Sequence, residues 1–499
     1  MNPKEKLNLI APGQVRVRFA PSPTGNFHLG GARAALFNYI FAKQKKGSFV
    51  LRIEDTDQER SLKEYEKDII ESLEWLGINW DEGPKNSGYV GDYGPYRQSE
   101  RLIYRKYIEK LLNEKKAYHC YCSQEDLEAQ KQYFMARGEA PRYNGKCSQL
   151  TESLDKSSVI RIKVPEKKIK FNDIIRGEVE FDSKTIGDMV IAKNLDTPLY
   201  NFAVVVDDYE MKISHVLRGE DHISNTPKQI LISESLGLPI PTFCHLPLVL
   251  APDRSKLSKR HGPVSVIDYR KQGYLPEALI NFLVLLGWNP GTEREIYSIN
   301  SLIKDFNLEK VQKSGAVFNI KKLDSINSFY IRQKSIENLT QLSIPYLVES
   351  NLITEEEGIY MKKDSKEKIS LEFIQKVIAL HQERMKNISE ISEFSDFFFQ
   401  EIDYDKDLLI WKDSSQDEVF LSLDNTIKIL SEIDDWRKEI LDQKIMEEAD
   451  RIGNRGLVFW PLRVALTGKK SSAGPTEVAE ILGKKETLLR INKAKEKIK

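Results

Sequence analysis

An α/β fold built around a parallel sheet is the reading this sequence predicts, and three observations carry it. VRVRF (Val15 to Phe19) alternates and is β-rich; GGARAALFNYIFAKQKKG from Gly30 is helical; SFVLRI (Ser48 to Ile53) is a second apolar strand. Strand, loop, helix and strand in so short a span make a βαβ unit, whose strands lie parallel. A chain of 499 residues exceeds one ordinary domain, so more than one unit is expected.

Each element follows from local chemistry. APSPTGNF, punctuated by two prolines and a glycine, is the loop between the first strand and the helix, and Gly47 is the helix stop. AYHCYC opens an inserted region of short strands and polar turns that lasts to about Leu199. YNFAVVVDDYEMKISHVLRGEDH has the texture of buried strand, Ile223 to Leu236 is helical, and HLPLVLAP (His245 to Pro252) is another short strand. After Lys271 the pattern is helical to the end, with a composition shift near Gln333.

Bulk composition excludes several classes. The chain balances 75 basic against 75 acidic residues, so it is no uniformly basic nucleic-acid coat, although one basic face is still allowed. The tail from Lys484 carries seven Lys or Arg against two Glu, which reads equally as a solvated helix face or a phosphate contact. The opening MNPKEKLNLIAPGQ has no apolar stretch of signal-peptide length, and no run reaches the ~18 apolar residues of a spanning helix. A soluble, cytoplasmic protein is expected.

Two loops carry the chemistry. His28-Leu29-Gly30-Gly31 stands where a loop feeds a helix start beside a parallel strand, a place with free N–H groups and a positive dipole end that suits phosphate. Lys256-Leu257-Ser258-Lys259-Arg260 is either an exposed basic loop or a mobile clamp for a leaving pyrophosphate. LTGKKSS (Leu466 to Ser472) imitates a phosphate loop, but Arg463 stands where that motif needs glycine. No G-x-G-x-x-G follows the first strand. Arg18 and Arg218 suit a carboxylate through their planar forks, or else pair with acids such as Asp55 or Glu220. Asp207-Asp208 reads as a strand-end turn in preference to a magnesium site.

Taken together, PSPTGNFHLGG resembles the HIGH signature of class I aminoacyl-tRNA synthetases and KLSKR resembles their KMSKS loop. RFAPSPTG, LRIEDTD, GPYRQSER, YNFAVVVDD and RGEDH resemble the glutamyl-tRNA synthetase family in particular, to about Trp288, and the likeness returns at WPLRVALTG. One departure is Gly31 at the last HIGH position. The resemblance implies a Rossmann-like catalytic domain in two halves (1–115 and 200–255) around an inserted acceptor-binding domain (116–199). A KMSKS loop and stem-contact region (256–333) and an α-helical anticodon-binding domain (334–499) would follow.

The resemblance further implies a monomeric ligase using ATP with Mg2+, L-glutamate and tRNA(Glu). His28, Lys256 and Lys259 would be catalytic. Pro21, Ser22, Pro23, Thr24, Gly25, His28, Gly30, Gly31, Lys256, Ser258, Lys259 and Arg260 would bind ATP. Arg18, Ser22, Glu54, Tyr200 and Arg218 would bind glutamate, with Arg18 facing the side-chain carboxylate and Glu54 the ammonium. In the C-terminal half, FFF at Phe397 to Phe399 reads as core; Gln382-Glu383-Arg384 and Trp460 to Arg463 are the stretches to watch for anticodon contact.

Cys120, Cys122 and Cys147, three of only four cysteines, form a close set typical of metal sites in a reducing compartment. Some family members finish such a cluster with histidine two residues after the third cysteine. Here that position is Gln149, a poor zinc ligand, and neither His119 nor Tyr143 matches the pattern. Three reduced thiols are therefore favoured over bound zinc. Competing functions are a glutaminyl-tRNA synthetase, whose C-terminal half should be strand-rich, a truncated tRNA-modifying relative, and a catalytically inactive RNA-binding protein.

Overall fold

The structure, a computed structural model, describes residues 14–57, 59–85, 88–150 and 158–499. Two compact units divide the chain: one runs to Arg270 and adds Pro276–Leu323, and the other comprises Lys271–Leu275 with Asp324–Lys499.

The first unit is organised by a six-stranded sheet. Its strands are β1 (Arg16–Phe19), β2 (Ser48–Leu51), β3 (Lys168–Asp173), β4 (Gly177–Asp182), β5 (His215–Gly219) and β6 (Thr242–Leu246). Their spatial order is β2-β1-β5-β6-β3-β4. The first five in that order run parallel and the β3–β4 hairpin closes the edge antiparallel. Between β1 and β2 lies α1 (Leu29–Gln44), buried along most of its length because it covers the sheet. Asn38 on α1 donates to the Leu217 carbonyl of β5 at 3.0 Å, joining helix to sheet.

Two elements differ from expectation. The apolar run at Tyr200 is not a strand but α2 (Tyr200–Glu210). It is buried on every side, packing Phe202 and Val204 to Val206 against Ile160, Ile162, Ile191 and Ile232. A helix apolar all round has no visible period, so it cannot be told from a buried strand by pattern. Asp207 and Asp208 accordingly lie inside a helix and not at a strand-end turn. The residues from Ile223 do reach a helix, α3 (Thr226–Leu236), after a 3-10 segment over Glu220–Asn225.

The inserted region does not form one block. Ala117–Cys120, Val159–Ile162, Met189–Asn194 and Thr197–Pro198 make their own four-stranded sheet, whereas the β3–β4 hairpin joins the main one. HLPLVLAP splits between β6 and a short strand at Val249–Leu250.

The second unit is largely helical, from Ile336–Glu349 to Pro475–Ile498. It also holds a three-stranded antiparallel sheet, Ile353–Glu356, Ile359–Lys362 and Lys368–Ile369, where continuous helix was expected. Its first turn is the two residues Glu357 and Gly358, with φ of 51° and 78°, the primed geometry a tight hairpin needs. Glutamate at that first position carries no sequence signal for such a turn. Phe397, Phe398 and Phe399 are each 1% exposed, as core. In the tail, Lys495 and Lys497 pair with Asp424 and Asp403, which favours the structural reading of those charges. Among the described residues no helix is long and apolar enough to cross a membrane.

Helix α1 stops at Gln44, and Gly47 is required by contact: a Cβ there would stand 2.0 Å from the Val15 carbonyl oxygen. Gly47→Ala should therefore cost about 1–3 kcal/mol by forcing the backbone apart. Urea unfolding measures it; an unchanged midpoint would contradict this placement of Gly47 against β1.

Candidate active site

A cleft of about 650 Å³ opens at the carboxyl ends of β1 and β5, where α1 begins. Ligands bind at this end of open parallel sheets because the strand order leaves a crevice there. Arg18, Pro21, Ser22, Thr24, Gly25, His28, Gly30, Gly31, Glu54, Tyr200, Arg218, Lys256 and Ser258 all line it. Pro23 does not; its carbonyl accepts from Leu62 N–H at 3.0 Å. Arg260 is exposed outside the lining, and the Lys259 side chain lies outside the described residues.

His28 caps α1. Gly31 N–H donates to its Nδ1 at 3.2 Å, which places the ring proton of neutral His28 on Nε2. The surrounding protein desolvates the ring and Lys256 adds repulsion, so its pKa is lowered and the neutral form prevails around pH 7. The departure at Gly31 has a steric cause: a Cβ there would stand 2.8 Å from the Phe27 ring.

The two signature loops are tied together by backbone. Leu29 N–H donates to Val264 O at 2.9 Å, and Val266 N–H to Phe27 O at 2.9 Å. Lys256 lies 3.5 Å from Asp221, and Ser258 Oγ lies 3.0 Å from His261 Nδ1, folding the basic loop on itself.

Beneath the cleft sits a buried charge network. Arg52, fully buried, donates to Asp208 at 2.8 Å and to Glu54 at 2.9 Å, and stands 3.9 Å from Asp207. Arg18 Nε donates to Asp208 at 3.1 Å. Asp207 also pairs with Arg101 at 2.7 Å and accepts from Gln98 and Tyr104. Neither aspartate is left to hold magnesium. Asp208 is desolvated, yet Arg18 and Arg52 hold its carboxyl below the usual range. Burial pushes Glu54 up against the pull of Arg52 and Arg18.

The expected alternative partners are engaged elsewhere: Asp55 accepts from Ser99, and Glu220 pairs with Arg176. Arg218, 6% exposed, has no carboxylate partner among the described residues, and its NH1 is buried without a hydrogen bond. Tyr200 bonds His222 at 3.2 Å, and burial with nearby Glu54 pushes its phenol up to about 12. Sequence reasoning missed Arg33, Asp221, His222 and the Leu246–Val249 wall. His222 stood within RGEDH, but the wall is plain buried strand end and carries no signal.

Cys120, Cys122 and Cys147 do converge, their sulfurs all within 4.8 Å of one another. Tyr143 Oη lies 3.5 Å from the sulfurs of both Cys120 and Cys122, and Cys147 N–H donates to it at 2.9 Å. His119 instead bonds Ser158 at 2.8 Å. In the second unit, Gln382 donates to the carbonyls of Ile331 and Lys334, Trp460 to Leu408, and Arg463 to Ser472 and Ala473. Arg384 is the exposed cation of those two stretches, lying 5.8 Å over the Phe394 ring.

Comparison with known proteins agrees with this geometry. Residues 14–325 match the catalytic domain of the class I tRNA synthetases (E and Q), and residues 338–495 match an anticodon binding domain. The glutamate–tRNA ligase 1 of Caldicellulosiruptor saccharolyticus is 48% identical over 96% of this chain and 98% of its own length. The glutamate–tRNA ligase of Carboxydothermus hydrogenoformans is 45% identical over 96% of this chain and 99% of its own length. A crystal structure of a glutamate tRNA ligase from Elizabethkingia meningosepticum, in complex with its amino acid, superposes with TM-score 0.84 at 36% identity, covering 97% of this chain and 100% of that one. The chain therefore belongs to the class I aminoacyl-tRNA synthetases of the E and Q group, and within that group to the glutamate–tRNA ligase family.

Replacing Arg52 by Met should remove about 3–5 kcal/mol of stability, since it leaves buried Glu54 without its partner and takes one of the cations from each of Asp207 and Asp208. Adding Asp208→Asn to that variant should recover part of the loss. Chemical denaturation compares the two, and a single variant as stable as the parent would show the network to be dispensable.

Proposed function

We propose that this chain activates glutamate with ATP and loads it onto the 3′ end of tRNA(Glu), with the cleft residues in the following roles. The observation that carries the reading is Arg218 beside Arg18, two buried guanidiniums in one cleft with NH1 of Arg218 unpaired. A substrate with two carboxylates matches that charge pattern.

The glutamate α-carboxylate oxygen attacks the α-phosphorus of ATP. The new P–O bond forms as the bond to the bridging oxygen breaks, and pyrophosphate leaves. The terminal ribose hydroxyl of tRNA then attacks the acyl carbon, and AMP departs. Positioning and charge neutralisation are what this chemistry asks of a protein, and no nucleophile is needed. His28 Nε2–H donates to phosphoryl oxygen, with the open N–H groups at the start of α1 beside it. Lys256 and Lys259 neutralise charge on the leaving pyrophosphate, whose Mg2+ arrives with ATP. Arg18 takes the side-chain carboxylate. Glu54 takes the ammonium, which restores the ionised carboxylate that burial disfavours. Tyr200 and Ser22 close the pocket.

Glutamate-dependent ATP–pyrophosphate exchange, run with and without tRNA, tests the reading. Exchange with glutamine but not glutamate would favour the glutaminyl enzyme, and none under either condition would remove the enzymatic reading. Lys259→Ala should lose about 10²–10³ in rate while tRNA affinity stays nearly constant. Equal loss of both would assign Lys259 to the RNA.

A structural zinc ion also fits the cysteine cluster, with Tyr143 as fourth donor. Tetrahedral zinc with sulfurs at ~2.3 Å sets them ~3.8 Å apart, and Cys122 and Cys147 stand at 3.6 Å. Metal analysis should find about one zinc per chain, lost in Cys147→Ser and reduced in Tyr143→Phe. Metal-free protein that titrates all four thiols when unfolded would return the cluster to reduced cysteines.

A further inference from the structure

Behind Arg218 lies a closed chain of buried hydrogen bonds. Arg218 Nε donates to His245 Nε2 at 3.3 Å, and its NH2 donates to Thr226 Oγ1 at 2.8 Å. Thr226 Oγ1 is in turn 3.0 Å from His245 Nε2. A guanidinium only donates, so His245 Nε2 must present its lone pair. The ring proton then sits on Nδ1, which lies 2.7 Å from Asp173 Oδ2. A carboxylate only accepts, so Asp173 selects that tautomer.

Asp173 is itself fixed. The same Oδ2 accepts from His245 N–H at 3.0 Å, while Oδ1 accepts from the N–H groups of Ile175 and Arg176 at 3.0 and 2.9 Å. Burial opposes the charge, yet these bonds hold its carboxyl below the usual range. Asp173, His245 and Thr226 are at most 1% exposed, so each depends on the protein groups around it for its hydrogen bonds. The Phe243 ring lies 5.7 Å from the guanidinium carbon. Nε and one N–H of NH2 are thus held by the protein, and NH1 is the nitrogen left without a partner. A buried cation with no carboxylate in contact is costly to maintain unless something anionic enters to meet it.

We propose that Asp173 and His245 are positioning residues of the amino-acid site, holding the Nε edge of Arg218 so that NH1 faces a substrate carboxylate. The proposal rests on Arg218 being a substrate contact. Asp173 ends β3, which comes from within the inserted segment and pairs with β6 at Phe243, so that segment supports Arg218 from behind through His245.

The test is pyrophosphate exchange with tRNA present, with KM measured separately for glutamate and ATP. His245→Asn keeps a donor toward Asp173 but is too short to reach Arg218. It should raise the glutamate KM about tenfold while the ATP KM moves less than about twofold. His245→Gln, which returns an acceptor near the Nε2 position, should recover most of that loss. Asp173→Asn should show the same split. Arg218→Ala separates the two readings. If it leaves the glutamate KM unchanged, Arg218 is no substrate contact and the proposal falls with it. If it raises that KM and His245→Asn does not, only the positioning role falls. A parallel rise in both KM values for His245→Asn would also overturn it, as a general folding defect. Independently of any variant, 15N spectra of histidine-labelled protein should show His245 neutral with its proton on Nδ1. A proton on Nε2 would contradict the relay.

Discussion

Arg52 is the charge around which the catalytic unit is arranged. It is fully buried, and burial of a guanidinium is tolerable only where carboxylates and hydrogen bonds replace water. Glu54, Asp207 and Asp208 do so, and each belongs to a different demand of the fold. Glu54 follows β2 and enters the cleft; Asp207 and Asp208 come from α2, directly after its buried apolar run Phe202–Val206. Asp208 then reaches Arg18 on β1. One buried cation thus sets the spacing of strand, helix and pocket floor, and leaves Arg18 restrained on its Nε edge. The same logic recurs at Arg218, where a neutral histidine takes the place of the acid and the positive charge stays available.

The side of the cleft proposed to hold the nucleotide depends on backbone. The loop before α1 and the segment after the basic loop exchange N–H···O bonds through Phe27, Leu29, Val264 and Val266. Phe27 also fills the space that a larger residue at position 31 would need. A glycine in place of the final HIGH histidine is therefore accommodated by packing, with the helix start left open toward the cleft.

Much of this was legible in the residues. The first βαβ unit could be read because its strands and helix differ in period, and the two loops because glycines and clustered cations punctuate them. The cleft gathers thirteen of the residues expected there, among them Arg18, Glu54, Tyr200 and Arg218 from four separate places in the chain. What escaped notice had a physical reason. The unbroken apolar run Phe202–Val206 in α2 hid its period, which also misplaced Asp207 and Asp208. The Glu357-Gly358 hairpin has glutamate where the turn is usually announced by Asn, Asp or Gly. Asp173 and His245 are distant in sequence and meet only through the strand order, so no local pattern could join them. Tyr143 belongs to no familiar zinc spacing, and its place beside three sulfurs emerges only once the chain is folded.

The central claim is that the two arginines are the carboxylate-binding groups of the cleft. A crystal structure with a non-hydrolysable glutamyl-adenylate analogue addresses it most directly. The account predicts the side-chain carboxylate at about 2.7–2.9 Å from the Arg18 terminal nitrogens, an oxygen of the substrate on NH1 of Arg218, and the ammonium at Glu54. An analogue bound with its side-chain carboxylate away from Arg18, and with NH1 of Arg218 still unpaired, would contradict it.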